Sequence, residues 1–185
     1  PGFLALLNDL IYEKAVHPII GSLTCRAQLR YGIPLLNLFC AEPIKYVVTI
    51  DLTNHYDFKK SFIIPMTTIL NKTDLPSKKQ ALLTNGRQTF GNIFDWKDDG
   101  IKAVEEIIRS EIEEYRMGFS KSKDGFILDW PSDYNLVGWL VSIKSGGELK
   151  PHMHENGWVS GSVYINVPKT SHSQSGNLVV CIEND

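Results

Sequence analysis

The sequence predicts an α+β chain in which helices come first and an all-β half, of the β-sandwich or jelly-roll kind, follows. Three observations predict it. Apolar residues recur at helical spacing near the start, a long amphipathic stretch with one acidic face lies in the middle, and short β-branched runs separated by Gly and Pro fill the chain from Phe126 onward.

Taken in order, Leu4, Leu7, Leu10 and Ile11 place one apolar stripe on a first helix. His17-Pro18 breaks that run, and Gly21-Ser22 supplies the start of a second helix through Leu29, which Gly32-Ile33-Pro34 stops. Two short helices on a Pro/Gly turn fit a capping pair or the last unit of a helical repeat array, although no second copy recurs at a fixed period. Residues 46–50 are β-branched and bounded by Pro43 and Asp51, which reads as a strand. Residues 57–71 suit either a strand or a short helix, and 71–79 form a polar connection. The turn-formers and amides of 82–92 read as an ordered loop. Ile101, Val104, Ile108, Ile112 and Tyr115 recur every three or four residues, with glutamates and Arg109 on the other face. That predicts a helix over about 99–117, capped by Asp98 or Asp99 and packed on the outside of a sheet. Beyond it, 136–143, 158–167 and 178–182 read as strands. Gly146-Gly147 is expected as a turn and 169–176 as a polar loop.

Composition narrows the function classes. The chain has 185 residues, 43% of them hydrophobic, enough for one sizeable core or two small ones. A formal net charge of −2 lacks the basic excess of a phosphate-tracking surface, so no nucleic-acid partner is expected. No window has the run of about 18 apolar residues that a membrane span needs, and the apolar start has no basic flank typical of a signal peptide. Cys25, Cys40 and Cys181 are odd in number, widely spaced and without a C-x-x-C, which points to buried thiols in a reducing cytoplasm. The chain starts without a methionine inside an apolar run and ends just after a strand pattern, so both ends read as cuts through a longer polypeptide.

The chemistry concentrates in Pro151-His152-Met153-His154-Glu155. Residues i and i+2 of an extended segment project to one face, so His152 and His154 can converge on one cation with Glu155 beside them. Imidazole suits iron, zinc, copper and nickel. The alternative is an exposed polar loop that happens to hold two histidines. The flanking Gly146-Gly147 and Gly157-Trp158-Val159-Ser160-Gly161, set among strand patterns, favour the metal reading. Trp139 and Ser142 on the preceding strand either line a pocket or pack. Tyr164 and Asn166 share a face of the following strand, where a bound ligand or an imidazole would satisfy their polar groups. His17 and His55 precede this region and read as surface or packing residues. No phosphate-cradling glycine loop, Gly-x-Ser-x-Gly or Cys–His pair is present.

Residues 138–168, GWLVSIKSGGELKPHMHENGWVSGSVYINVP, resemble the metal-binding half of the iron(II)/2-oxoglutarate-dependent oxygenases found beside tetratricopeptide repeats in bacteria. The resemblance lies in His152-x-His154, Ser160-Gly161, Tyr164, Pro168 and Ser175-Gly176. More loosely, it includes LLTNGRQTFGNIF at 82–94 and the acidic helix after it. It implies a double-stranded β-helix carrying Fe(II), with 2-oxoglutarate as co-substrate and O2 as oxidant, and a small-molecule or peptide/protein substrate. It also implies that residues 1–40 end a helical repeat region and that 41–185 are the N-terminal part of the oxygenase domain, with the late strands missing.

The metal of that superfamily sits in a 2-His-1-carboxylate triad. Here a histidine, His154, occupies the carboxylate position, so either the site has three histidines or Glu155 supplies the carboxylate; the i, i+2 spacing favours His154. The distal histidine and the basic residue that pairs with 2-oxoglutarate belong to late strands. The only histidine after His154 is His172, which reads as a solvated loop residue. Two other readings remain beside the hydroxylase: a cupin-like metalloprotein with non-oxidative chemistry, and a non-catalytic binding module derived from the barrel.

Overall fold

In the computed structural model, residues 2–72, 74–78, 80–167 and 176–182 are described. The chain opens with α1 (Phe3–Tyr12) and α2 (Pro18–Tyr31). His17-Pro18 does not merely break the first helix; it starts the second. His17 is the N-cap, its Nδ1 accepting from the Ile19 amide at 3.2 Å, and Pro18 takes the first helical position, where a missing N–H costs nothing. The helix therefore begins three residues before the expected Gly21-Ser22 signal. It ends as expected at Gly32, whose φ of 62° is the left-handed conformation a helix C-terminus favours.

Asn37, in the segment after α2, is a buried hub. Its Nδ2 donates to Gly21 O and to Cys25 Sγ, and its Oδ1 accepts the Phe39 and Cys40 amides. Burial raises both neighbouring thiols, Cys40 to about 12. Cys25 and Cys40 are buried as expected, whereas Cys181 is exposed.

The strand expected at 46–50 is absent: Pro43–Tyr46 is a 3-10 turn, and 47–50 form no strand and have no ladder partner among the described residues. A β-branched run makes a strand only where another strand meets it, and here Tyr46 is instead drawn towards the helices, donating to Asp124 Oδ2. The ambiguous stretch 57–71 resolves as helix: a π-turn at Lys59–Ile63 runs into α3 (Ile64–Leu70).

β1 (Ser77–Lys78), β2 (Leu83–Thr89) and β3 (Val141–Leu149) make one antiparallel sheet in the order β1-β2-β3. The segment expected as a loop at 82–92 thus holds the central strand. The ladder explains its polar, Gly-containing sequence: Thr84 pairs with Glu148, Gly86 with Ile143, and a bulge lies between them. Gly146-Gly147, expected as a turn, sits inside that bulge. Gly146 has φ 71°, and a Cβ on Gly147 would fall within 2.7 Å of Thr84 O. The bulge is closed by Asn85 Nδ2 donating to Ser145 O at 2.6 Å.

α4 (Asp99–Gly118) matches the expected amphipathic helix, with Asp98 accepting from the Gly100 and Ile101 amides. It packs mainly on α3, the π-turn and the 3-10 turn Ile93–Asp95 rather than across a sheet. Phe62, Met66, Ile69, Ile93, Ile101, Val104 and Leu140 form the core between them. A second cluster, Cys40, Phe126, Ile127 and Trp130, lies around α5 (Gly125–Leu128).

The strands expected at 158–167 and 178–182 do not form among the described residues. Their valines are exposed, Val179 to 79%, while Ile165 is half-buried against the main core, and among the described residues no strand pairs their backbone. The described residues are thus α+β with one small antiparallel sheet. No described helix is long and apolar enough to cross a membrane.

Candidate metal centre

The two histidines stand on a tethered loop that leaves the end of β3. Lys150 N donates to Leu82 O at 2.9 Å, extending the β2–β3 contact one residue past the strand. Pro151 follows, then His152 and His154, and the chain turns back where Gly157 N donates to His154 O at 2.9 Å. The far side is pinned by Trp158, whose Nε1–H donates to Phe126 O at 2.9 Å and whose ring meets Phe39 edge to face at 5.2 Å. A rigid strand thus holds one end of the loop and the second aromatic cluster the other.

Within it the two imidazoles meet edge to face, 5.0 Å between centroids and 82° between planes. Residues 151–154 belong to no helix or turn, and the i, i+2 spacing brings the two rings together. His152 Nδ1 lies 2.8 Å from Lys150 O. A carbonyl only accepts, so Nδ1–H donates to Lys150 O and Nε2 is the ring nitrogen left to meet a metal, the arrangement a metal-ligating imidazole uses. Burial, and secondly the neighbouring His152, hold the His154 ring below the usual imidazole range. Its neutral form, the one a metal needs, is thereby favoured. Two adjacent imidazoles are of the donor type that suits iron.

The other expected residues are placed as follows. Trp139, just before β3, stacks on His154 with the planes 15° apart and the centroids 5.7 Å apart. Ser142 is in β3 opposite Arg87, and among the described residues no hydrogen bond joins it to either histidine. Glu155 is exposed in the turn. Tyr164 and Asn166 are exposed and form no hydrogen bond with either histidine. Among the described residues, no group of three or more His, Cys, Asp and Glu side chains is placed to hold a metal. His172, Pro168 and Ser175 lie outside the described residues. His17 is the α2 cap, and His55 lies 3.6 Å from Glu111, so neither joins the pair.

Sequence reasoning missed the residues that hold the loop. Trp158 was visible only as a strand residue, and its partners Phe39 and Phe126 lie far away in sequence. The Leu82–Lys150 bond depends on a β2–β3 pairing that the polar composition of 82–92 hides. A Trp three residues beyond Glu155 was the one local signal.

Residues 138–181 match the family described as "Putative 2OG-Fe(II) oxygenase". No curated protein and no solved structure matches the chain. The matched stretch runs from the lead-in to β3 through both histidines to Cys181, and with it the likeness of this chain to the 2OG-Fe(II) oxygenase family is established over residues 138–181.

Proposed function

We propose that the chain is a non-haem iron(II)/2-oxoglutarate-dependent dioxygenase acting as a hydroxylase on a small-molecule or peptide/protein substrate in the cytoplasm. One observation carries this reading: inside the family-matched stretch, the His152 and His154 rings meet edge to face, and His152 Nδ1 is engaged by Lys150 O. Fe(II), bound with 2-oxoglutarate and O2, supplies the oxidising chemistry.

The chain's own residues do the holding. His152 offers Nε2 because Lys150 O occupies Nδ1–H. His154 is the second ligand, with Glu155, the next residue and exposed in the turn, the alternative. Trp139 and Ser142 on the β3 side, and Tyr164 and Asn166 on the side beyond Trp158, are the proposed lining for 2-oxoglutarate. The three-stranded sheet is read as part of a double-stranded β-helix formed within 41–185, and residues 1–40 as the end of a tetratricopeptide-type repeat region. The β2–β3 ladder and the Trp158 anchor keep the histidine loop at a fixed place on that scaffold.

The test is spectroscopic. Anaerobic addition of Fe(II) and 2-oxoglutarate to the full chain is expected to give a weak visible charge-transfer band that His152→Ala abolishes. A band absent from the wild type, or untouched by that substitution, overturns the reading. Metal uptake without a 2-oxoglutarate band fits a cupin-like metalloprotein, and no metal uptake fits a binding module.

A further inference from the structure

We propose that Trp139 is a positioning residue that fixes the plane of the His154 ring for metal binding; the role rests on the metal-site reading above. The two histidines are restrained by different means. His152 is held by a hydrogen bond, Nδ1 to Lys150 O at 2.8 Å. The His154 ring makes no hydrogen bond among the described residues, and its backbone carbonyl alone is engaged, by Gly157 N. A histidine ring turns about a broad, roughly two-fold torsion, so without a partner its nitrogens would sweep past the position a metal occupies. The partner is the indole of Trp139, parallel to the imidazole within 15° at a centroid distance of 5.7 Å.

The geometry of the stack suits a ligand. A metal approaches imidazole in the ring plane, along a nitrogen lone pair, whereas the indole covers only a π-face. The stack therefore removes torsional freedom and leaves both nitrogens accessible. His152, edge to face at 82°, does not compete for that face.

Trp139 is also well mounted. The residue is 39% exposed and belongs to neither core cluster. Its backbone is nevertheless fixed, because the next residue, Leu140, is buried and bonded in both directions to Thr89: Thr89 N donates to Leu140 O at 3.0 Å, and Leu140 N donates to Thr89 Oγ1 at 3.1 Å. An exposed aromatic on a pinned backbone, stacked on a histidine ring that makes no hydrogen bond among the described residues, orients that histidine. Pre-setting a ligand ring is the kind of support whose loss weakens metal binding by about 10- to 100-fold.

The experiment has two readouts on the same samples. In the metal-free protein, proton NMR of the His154 ring should show resonances moved upfield by the indole, and Trp139→Ala should return them towards the exposed-histidine position. Titration with Co(II) alone, followed by calorimetry, should then show binding about tenfold weaker in Trp139→Ala, with most of the affinity restored in Trp139→Phe, which keeps an aromatic face. Unchanged thermal unfolding of both variants is expected, since the side chain is outside the core. An upfield shift missing from the wild type overturns the inference, as does Trp139→Ala binding Co(II) as tightly as the wild type, or Trp139→Phe binding as weakly as Trp139→Ala. A wild type that shows the shift but binds no Co(II) overturns the metal-site reading itself, so the two failures are told apart.

Discussion

Around α4, the side chains of Phe62, Met66, Ile69 and Ile101 are each 1% exposed, while on the stretch after the histidine loop Tyr164 is 49% and Val167 51% exposed. Both regions are rich in apolar residues, yet the first is held by burial and the second by a few tethers. α3, α4 and the π-turn interlock side chains from several elements, each packed atom adding its small share. The histidine loop instead hangs between Lys150 N–Leu82 O and Trp158 Nε1–Phe126 O, with ring contacts between. The difference separates stability from chemistry. The helical core keeps the chain folded, and the residues proposed to bind metal cost it little.

That contrast can be broken most severely in the core. Phe62→Ala removes a ring packed between α4 and Phe58, and should lower stability by about 3–5 kcal/mol, read from the denaturant midpoint. Next in size is Thr89→Val. It keeps the shape but leaves the Leu140 amide unpaired in a buried place, at a cost of about 1–3 kcal/mol by the same measurement. Asp98→Ala strips the α4 N-cap from the Gly100 and Ile101 amides and should cost about 1 kcal/mol, seen as a lower thermal midpoint.

Cys40 offers a check that leaves the sequence intact. Burial, joined by the charge of Asp124, raises its thiol from 9.0 to about 12. Alkylation needs the thiolate, so labelling of Cys40 in the folded chain should stay slow up to pH 9 and quicken only as pH climbs towards 12, whereas the denatured chain should label at the ordinary pH. The same sign holds for stability: the unfolded thiol ionises first, so the folded state loses ground as pH rises above 9. Fast labelling of Cys40 at pH 8, followed by mass spectrometry of its peptide, would place the α5 cluster on the loosely held side of the comparison. The smallest effect belongs to the proposed ligands. His152→Ala should leave the unfolding midpoint within about 0.5 kcal/mol of the wild type while abolishing metal uptake. A large loss of stability instead would mean that the loop is part of the packed core.

The two regions also differed in how well they could be read from sequence. α4 was legible because its own period of apolar residues and its Asp98 cap are local signals, and both appear where expected. The His152–His154 pairing was legible for the same reason: an i, i+2 alternation needs no distant partner. The start of α2 was misread because His17-Pro18 looks like a breaker when read forwards and like a cap when read from the helix. The exchange of 46–50 for 83–89 as strand has a longer-range cause. Val47, Val48 and Ile50 have the right residues but no neighbour, while Thr84, Asn85 and Gly86 have a poor composition and a partner in β3 that tolerates a bulge. Pairing decided against propensity in both places. The packing of Trp158 on Phe39 and Phe126 joins residues too far apart for any periodicity to record.

The tethering of the histidine loop at both ends has a consequence for how this chain tolerates change in length. Between Lys150 and Trp158 the backbone hydrogen bonds among the described residues are local, the Gly157 N bond to His154 O and the Lys150 O contact with His152, so a residue added or removed there breaks no ladder and opens no core. Lengthening a flexible loop costs little, about 0.6 kcal/mol for each doubling. The same change would rotate His154 relative to His152 and to the face of Trp139. Ligand geometry is thus the property that insertions and deletions in this stretch would alter first, while the scaffold stays folded.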